Sequence, residues 1–515
     1  MVAKKPRVVV VGAGVAGLTA AHRLCAGGGD RFEVTVVEAG ARAGGRVLTS
    51  EFAGHRVEMG ATWIQGIDGS PVYALARDAG ALACDRDAPP YERMDGSPDR
   101  VLTVAEGGEV VDADRVARPV EELYRGMMEA ARAGESSGGG SVEEYLRRGL
   151  RAYQAARQGG KELEGIEDAL LAMHINRERT DTSADELGDL DLAAEGEYRD
   201  FPGEHVTIPG GYSRVVDRLV AALPPGTVRL GLRLRRLDWS DTPVRLHFAE
   251  DGATTAITAD HVILTVSLGV LKASIGKDAH AAGGVAFDPP LPQFKRDAVA
   301  RLGFGVVNKL FMELEAVPAA KPEGDGGGGG GGGSEHPLAM SAPPEFPFLH
   351  MAFRGHVSEI PWWMRGTESI CPVHGGSSVA LAWFAGREAE YLESLPDDEV
   401  IRGVQATMDS FLPAPDPRDG AKATSRWRVK RIKRSGWATD PLFLGSYSYV
   451  AVGSSGEDLE RMAEPLPRGS NVGGAPPLRV LFAGEATHRT HYSTTHAAYL
   501  SGVREAERLL QHYGN

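Results

Sequence analysis

Four residues near the start of the 515-residue chain have the types and the spacing that hold a dinucleotide. Gly12, Gly14 and Gly17 follow the pattern G-x-G-x-x-G, and Glu38 ends the next β-rich run. In this pattern the first glycine permits a tight turn, the second lets the backbone approach a pyrophosphate, and the third allows close packing. The acid can accept hydrogen bonds from an adenosine ribose. These residues predict a nucleotide site and leave NAD and FAD both open.

Small and basic residues follow in the loop that ends with Gly44, Gly45 and Arg46. An arginine set among flexible glycines, beside a phosphate site, is suited to binding a pyrophosphate. The run VEMGATWIQG at 57–66 then surrounds Trp63 with small residues, which permit close approach of the backbone to a flat ligand. Both segments are predicted to contact the nucleotide cofactor.

The elements that must position these residues form a β-α-β unit. Four consecutive valines, Val8 to Val11, predict a strand buried on both faces, residues 18–24 predict a helix, and residues 32–37 predict a second strand. The start of this helix offers free N–H groups and the positive end of its dipole to a phosphate.

The rest of the chain alternates between helical and β patterns. Residues 71–200 have apolar residues at helical spacing, with Ser141 as a helix N-cap, and predict a helical insertion. Alternating β patterns return from Val206, and a strand is predicted at 378–384. The final stretch, 478–510, predicts a strand, a polar loop and an amphipathic helix.

The composition of the chain argues against several classes of protein. The 56 Lys and Arg against 70 Asp and Glu give a net charge of −14, which argues against nonspecific nucleic-acid binding and suits a cationic substrate. Cys25, Cys84 and Cys371 are too scattered for a disulfide framework or a C-x-x-C metal site. No apolar run reaches the length of a membrane span, and the last residues, EAERLLQHYGN, do not have the apolar pattern of an anchor, so none is expected. We expect a cytoplasmic protein that binds neither nucleic acid nor membrane.

Several separate blocks of sequence resemble one family. The motifs E-A-x-x-R-x-G-G-R (Glu38 to Arg46), V-E-M-G-A-T-W and L-F-A-G-E-A-T-H resemble the flavin amine oxidases. The blocks at 437–456 and 487–502 are most similar to FAD-dependent polyamine oxidases, namely the animal spermine oxidases and the cytosolic plant enzymes. The resemblance covers essentially the whole chain and breaks at the helical insertion and at a glycine run.

The family resemblance implies an α/β fold with an α+β second domain. A Rossmann-type FAD-binding domain is expected from 1–75, 205–300 and 430–515, and a substrate domain with a mixed sheet and helices from 76–204 and 301–429. The glycine-rich stretch 323–334 is expected to be a disordered loop, because glycine cannot bury a core.

The resemblance also implies a set of FAD contacts. The adenine would meet the backbone of Leu234, and Glu485 would contact the ribityl-phosphate region. No metal is expected: three histidines lie close together near the C-terminus, but their loop also carries the flavin motif. The predicted cofactor residues are Gly12, Gly14, Ala16, Gly17, Glu38, Ala39, Arg46, Gly60, Ala61, Thr62, Trp63, Leu234, Trp437, Gly484, Glu485, Thr494, Thr495 and Ala497.

Two residues are predicted to be catalytic. Lys309 matches the family lysine that holds a water against flavin N5, where a cation stabilises charge developing on O2. Without the resemblance, a lysine at a strand edge that extends to solvent would be the simpler interpretation. Tyr447 matches an aromatic position that flanks the flavin, and Trp383 and Trp437 are candidates for the same wall.

Substrate contacts are predicted at Gln65, Glu197, Trp383, Tyr447 and Thr494. Gln65 stands where relatives carry an acid or a histidine, although an amide oxygen still accepts a hydrogen bond. Thr494 replaces the second aromatic of the monoamine-oxidase cage. Glu197 aligns with an acid that pairs with a distal substrate nitrogen, and a solvated loop carboxylate is the alternative.

The predicted reaction is FAD-dependent oxidation of a secondary amine in spermine or thermospermine, or in N-acetylated forms. Back-conversion with O2 would give spermidine, an aminoaldehyde and H2O2, catalysed by a monomer. The alternatives are terminal catabolism, which releases propane-1,3-diamine, and the activities of a monoamine oxidase or a histone-lysine demethylase. From another class, an NAD(P)-dependent dehydrogenase or a non-catalytic nucleotide-binding protein would use the same opening motif.

Overall fold

The computed structural model describes most of the chain, and the statements below concern this part. The predicted glycine-rich loop at 323–334 and Cys84 lie outside the described residues. The described stretches are 5–27, 31–82, 101–136, 139–157, 160–250, 253–277, 283–317, 345–412, 425–468 and 478–514.

Strands occur along the whole described chain. In chain order they are β1 (Arg7–Val11), β2 (Glu33–Val37), β3 (Thr49–Phe52), β4 (His55–Glu58), β5 (Trp63–Ile64), β6 (Val101–Ala105), β7 (Glu109–Val110), β8 (Val206–Thr207), β9 (Val228–Arg229), β10 (Arg233–Asp238), β11 (Val244–Glu250), β12 (Ala253–Ala259), β13 (His261–Leu264), β14 (Ala286–Asp288), β15 (Gly303–Gly305), β16 (Val307–Ala316), β17 (Phe348–Ala352), β18 (Ser369–Pro372), β19 (Val379–Ala385), β20 (Trp427–Arg434), β21 (Tyr447–Tyr449) and β22 (Val480–Phe482).

Helices lie between groups of strands. They are α1 (Val15–Gly27), α2 (Pro71–Asp78), α3 (Arg118–Arg132), α4 (Val142–Ala156), α5 (Glu164–Thr182), α6 (Leu192–Glu195), α7 (Ser213–Ala221), α8 (Leu268–Ile275), α9 (Gln293–Arg301), α10 (Gly386–Ser394), α11 (Asp397–Phe411), α12 (Gly456–Ala463) and α13 (Thr495–His512). None of them, within the described stretches, is long and apolar enough to cross a membrane.

A five-stranded parallel sheet brings the two ends of the chain together. Its order is β22, β13, β1, β2 and β9. Val8 and Val10 pack in one hydrophobic cluster, and Val9 and Val11 pack in another, so β1 is buried on both faces. Helix α1 packs against α13 from the far end of the chain. The predicted β-α-β unit is confirmed as β1, α1 and β2.

A seven-stranded sheet forms the second layer. Its order is β20, β16, β19, β18, β17, β6 and β7, and only the pair β17–β6 runs parallel. The sheet is mixed, which confirms the predicted α/β fold class. Lys309 of β16 lies directly opposite Trp383 of β19. The boundary predicted at residue 430 falls inside β20, and the division into domains stays a prediction.

The predicted helical insertion at 71–200 contains α2 to α6, and also β6 and β7, which the sequence patterns did not predict. Ser141 is the N-cap of α4 as predicted, because its hydroxyl accepts a hydrogen bond from the Glu144 amide at 3.3 Å. Helix α5 carries charged residues on buried positions, including Glu178 and Arg179. Such charges need partners or a ligand in the interior.

Candidate active site

One cavity of about 810 Å³ collects most of the residues that the sequence singles out. Its wall includes the last residues of β1 and β2, Val11 and Val37, together with Lys309 and Trp383 of the mixed sheet. Ligands of open parallel sheets bind at the carboxyl ends of the strands. The cavity therefore joins a nucleotide-type crevice to the mixed sheet.

Of the three motif glycines, Gly12 and Gly14 lie between β1 and α1 and Gly17 lies in the first turn of α1; only Gly14 leaves open space. Gly12 has φ of +106°, and a Cβ added there would lie 2.3 Å from the Thr265 hydroxyl oxygen. A Cβ on Gly17 would lie 2.0 Å from the Gly12 carbonyl oxygen. A Cβ on Gly14, by contrast, would meet nothing within 4 Å, and Gly14 lines the cavity. This open cradle before a helix start fits a pyrophosphate.

Glu38 organises the loop beside this cradle. Its carboxylate accepts hydrogen bonds from the Ala13 amide at 2.8 Å and the Gly40 amide at 2.7 Å. Carboxylate oxygens can accept more than one hydrogen bond each, so the ribose hydroxyls of a nucleotide can be added. Glu38 lines the cavity, where such a ribose would lie.

Arg46 joins the cradle loop to the C-terminal part of the chain. Its guanidinium donates to the Ser446 carbonyl and to the Glu485 carboxylate, both at 2.8 Å. Glu485 is buried, and it also accepts hydrogen bonds from the Ser448 hydroxyl at 2.6 Å and the Ser493 amide at 3.0 Å. This ion pair connects two regions that are 439 residues apart.

The start of α13 forms another part of the cavity wall. Thr494 caps the helix, since its hydroxyl accepts from the Ala497 amide at 3.1 Å and donates to the His491 carbonyl at 2.6 Å. The hydroxyls of Thr495 and Tyr212 form a hydrogen bond of 2.5 Å. A helix N-terminus carries partial positive charge, so this wall favours negative charge on a ligand.

Lys309 is a buried amine surrounded by hydrogen-bond acceptors. Its Nζ donates to the Glu58 carbonyl at 2.6 Å, the Gly60 carbonyl at 2.5 Å and the Thr62 hydroxyl. The Trp383 ring lies 4.4 Å from Nζ. Burial lowers the pKa of Lys309 to about 7, while the Glu58 carboxylate acts in the opposite direction. The amine can therefore change its charge near neutral pH.

Aromatic residues later in the chain line the same cavity as Lys309. Tyr447 of β21 donates its hydroxyl to the Thr180 carbonyl at the end of α5. Burial raises the pKa of Tyr447 well above its usual value, so the phenol stays neutral. The Trp437 indole donates to the Met59 carbonyl at 3.0 Å. All these rings line the cavity and give it a flat apolar wall.

Gln65 and Glu197, both predicted to bind substrate, differ in their position relative to the cavity. Gln65 lines the cavity, and its buried side-chain oxygen has no hydrogen-bond partner among the described residues. The Glu197 carboxylate accepts from the Arg489 guanidinium at 2.7 Å and 3.1 Å. Glu197 is not among the residues that line the described cavity.

The same cavity is lined by further acids that the sequence did not point to. Four of them form what we call the acidic cluster: Glu178, Asp181, Glu195 and Glu368. Two arginines, Arg132 and Arg177, line the cavity beside this cluster. Arg177 donates to Glu368 at 2.9 to 3.1 Å. Arg132 lies 3.6 Å from both Glu178 and Glu195.

The acids of the cluster lie close to one another inside the cavity, and this placement shifts their pKa values. Burial, followed by repulsion from Glu178, raises the pKa of Asp181 to about 7. Burial and the same neighbour raise the pKa of Glu195 to about 7, and burial raises the pKa of Glu368. His350, whose pKa burial lowers to about 3, is neutral beside them. A cation in this part of the cavity would stabilise the ionised acids.

Most predicted site residues meet in the cavity. Three of the predicted site residues, Gly17, Glu197 and Ala497, are described by the structure but do not line this cavity. The predicted residues that do are Gly12, Gly14, Ala16, Glu38, Ala39, Arg46, Gly60, Ala61, Thr62, Trp63, Gln65, Leu234, Lys309, Trp383, Trp437, Tyr447, Gly484, Glu485, Thr494 and Thr495. Their roles stay predictions.

The sequence profile of one family, described as flavin containing amine oxidoreductase, matches residues 15–510. The chain belongs to this family. As the sequence predicts, it is a flavin-dependent amine oxidoreductase, and FAD is its cofactor. The open cradle at Gly14, which a Cβ would fill, agrees with this cofactor.

Individual relatives match all or nearly all of the chain. Polyamine oxidase 1 of Oryza sativa subsp. japonica is 77% identical over 526 residues, which cover 100% of this chain and 98% of that protein. The peroxisomal N(1)-acetyl-spermine/spermidine oxidase of Bos taurus is 34% identical and covers 98% of this chain and 94% of its own. The solved structure of cyclohexylamine oxidase from Brevibacterium oxydans IH-35A has a TM-score of 0.63 at 15% identity, covering 99% of this chain and 100% of that chain. The last comparison shows a shared fold.

Proposed function

We propose that the chain is a polyamine oxidase that oxidises a secondary amine of spermine or thermospermine and returns spermidine. In the overall reaction the polyamine, O2 and water give spermidine, an aminoaldehyde and H2O2. The high identity with the Oryza sativa polyamine oxidase supports the substrate class. The resemblance of residues 437–456 and 487–502 to spermine oxidases supports back-conversion.

The observation that carries this proposal is the single cavity that contains Gly14, Lys309 and Tyr447 as well as the acidic cluster. FAD supplies the redox chemistry when bound, because it takes two electrons from the carbon beside the amine and passes them to O2. Gly14 and Glu38 would hold its nucleotide half, and Arg46 with Glu485 its central part. A cationic chain of amines would then lie along the remaining wall.

The residues near the reacting atoms act by position and charge. Tyr447 and Trp383 would confine the substrate between flat rings and exclude water. Lys309 would place a positive charge where negative charge develops on O2. Polyamine nitrogens are mostly protonated at neutral pH, so the reacting nitrogen must lose a proton before its carbon is oxidised. The ionised fraction of the cavity acids whose pKa is raised to about 7, Asp181 and Glu195, would accept this proton.

The test is an oxygen assay on the purified protein with its FAD. Spermine and thermospermine should bleach the flavin spectrum without O2 and produce H2O2 with O2. A simple monoamine should do neither at the same concentration. The proposal fails if no polyamine produces H2O2, or if the protein binds NAD(P) and no flavin. A cytoplasmic location and a monomeric state also stay predictions, which fluorescence microscopy and light scattering would check.

A further inference from the structure

Glu58, the last residue of β4, is a buried acid to which the proposed reaction assigns no role. It is 6% exposed, and it lines the cavity. The backbone carbonyl of Glu58 accepts a hydrogen bond from Lys309 Nζ at 2.6 Å. The carboxylate of the same residue therefore belongs to the immediate surroundings of the Lys309 amine.

The hydrogen bonds of the Glu58 side chain favour its ionised form. The Tyr212 amide donates to the carboxylate at 2.8 Å, and the Thr49 hydroxyl donates to it at 2.9 Å. The Thr49 oxygen also accepts from the Ser213 amide at 3.0 Å, so its own proton is available to Glu58. Two donors that converge on one carboxyl group stabilise the carboxylate.

The hydrogen bonds of Lys309 likewise favour its charged form. Nζ donates to three oxygens, those of the Glu58 carbonyl, the Gly60 carbonyl and the Thr62 hydroxyl. The Thr62 hydroxyl directs its own proton to the Gly60 carbonyl at 3.4 Å, so its oxygen is an acceptor for Nζ. An ammonium group has three donors, whereas a neutral amine has only two. The three acceptors therefore fit the cation.

Burial opposes both charges, and each charge favours the other. Burial raises the pKa of Glu58 and lowers the pKa of Lys309 to about 7. The Glu58 anion acts to raise the pKa of Lys309, and the Lys309 cation acts to lower the pKa of Glu58. Arg56, on the same strand β4, is a second cation that acts on Glu58. Opposite charges in one buried place thus hold each other in the ionised state.

The other groups that surround the Lys309 amine are uncharged. The Trp383 ring of the facing strand β19 lies 4.4 Å from Nζ. The remaining neighbours are the carbonyl and hydroxyl oxygens that accept its hydrogen bonds. In the described part of the chain, Glu58 is the charged side chain that acts on the amine. Without its carboxylate, burial alone would determine the charge of Lys309.

We propose that Glu58 is a positioning residue whose carboxylate keeps Lys309 protonated, and that it thereby sets the pH above which the reduced flavin reacts slowly with O2. The inference rests on the proposed oxidase function, in which Lys309 supplies a positive charge to the reaction with O2. Glu58 acts on that reaction only through Lys309, and it donates no proton and contacts no substrate.

The test compares the wild type with three variants of the β3–β4 hairpin. Glu58→Gln removes the charge and keeps an amide oxygen that can accept the hydrogen bond of Thr49. Glu58→Asp keeps the charge. Glu51→Gln, at an exposed position of β3, is the matched control. Thermal melting and flavin content check that each variant is folded.

Two measurements are made, and the first uses the protein without FAD. NMR of protein that carries isotope-labelled lysine follows the titration of Lys309, and Lys309→Met identifies its signal. For the second, the flavin of the FAD-loaded protein is reduced by light, and its oxidation by O2 is followed after rapid mixing over a range of pH. Neither measurement needs a polyamine.

Glu58→Gln should lower the pKa of Lys309 by about one unit or more, because an opposite charge nearby is removed. For a shift of about one unit, flavin oxidation should slow roughly eightfold at about pH 7.5 and less than about twofold at about pH 5.5. Glu58→Asp should keep most of the wild-type pH profile, and Glu51→Gln should resemble the wild type. Combining Glu58→Gln with Lys309→Met should give the same rate as Lys309→Met alone.

Three results would overturn the role of Glu58. The first is an equal titration of Lys309 in the wild type and in Glu58→Gln. The second is a shifted titration with an unchanged pH profile of flavin oxidation. The third is a rate that falls equally at every pH, which would make Glu58 merely structural. If polyamines give no peroxide while the reduced flavin shows the shifted profile, the proposed substrate is wrong and the role of Glu58 is retained.

Discussion

At the scale of single residues, the charge of Lys309 is the feature on which we predict that the reaction with O2 depends. Its amine is buried in β16 and donates to two carbonyl groups and one hydroxyl. Burial favours the neutral amine, and the nearby Glu58 carboxylate favours the cation. The Glu58 side chain is held by the Tyr212 amide at 2.8 Å and the Thr49 hydroxyl at 2.9 Å.

Replacing Lys309 by methionine should slow the oxidase reaction by roughly 10²- to 10³-fold, which is the usual cost of removing a group that stabilises developing charge. The measurement is rapid mixing, with flavin reduction by spermine and flavin oxidation by O2 followed separately. Lys430→Met, on an exposed position of the neighbouring strand β20, is the control and should react normally. Near-normal rates in Lys309→Met would exclude a catalytic role.

The pKa of Lys309 also predicts a pH dependence. Because burial lowers this pKa to about 7, the amine is charged below that pH and neutral above it. If the cation assists O2, the rate of flavin oxidation should fall as pH rises through 7. The same rate in Lys309→Met should be low and flat in this range. A wild-type rate that rises through pH 7, or an equal slope in the variant, would contradict this assignment.

At the scale of elements, the glycines in the turn after β1 and in the first turn of α1 are of two kinds. Gly17 is closed by the Gly12 carbonyl, 2.0 Å from the position of an added Cβ, whereas Gly14 opens into the cavity. The first contact sets how closely helix and strand pack, and the second leaves room for a ligand.

This difference predicts opposite effects of alanine at the two positions. Gly17→Ala should destabilise the protein by roughly 2–4 kcal/mol, because the helix must move away from β1. Gly14→Ala should change the stability of the FAD-free protein by less than about 1 kcal/mol and weaken FAD binding at least tenfold. Thermal melting of the FAD-free proteins and FAD titration measure both effects.

Gly126→Ala in α3 is a suitable control, since no atom lies within 4 Å of its added Cβ. It should keep normal stability and normal FAD binding. The account of the cradle would be wrong if Gly14→Ala bound FAD normally, or if Gly17→Ala melted like the wild type.

At the scale of the whole molecule, the sequence predicts best those helices and strands whose contacts lie close together along the chain. The valines of β1, the glycine spacing and Glu38 lie within one segment, and they predict β1, α1 and β2 correctly. Strand β6 was missed, because it exists through pairing with β17, about 250 residues later, rather than through its own pattern. Long-range strand pairs leave little local signal.

The acidic cluster was missed for the same reason. Its acids come from α5, α6 and the segment before β18, and only the fold brings them to one wall. A local signal did exist, since Asp181 lies in the last turn of α5 and Glu178 lies just before that turn, and acids near a helix C-terminus are unfavourable. Glu197, which the family resemblance suggested, forms an ion pair with Arg489 and does not line the cavity. The acids at the end of α5 do line it.

The most direct test of the central claim is the identity of the amine released from spermine by the purified protein with FAD and O2. Mass spectrometry should find spermidine, in an amount equal to the H2O2 formed, as expected for back-conversion of a polyamine. Propane-1,3-diamine as the product would contradict the proposed position of oxidation. Consumption of spermine without H2O2, or no consumption at all, would contradict the assignment as a polyamine oxidase.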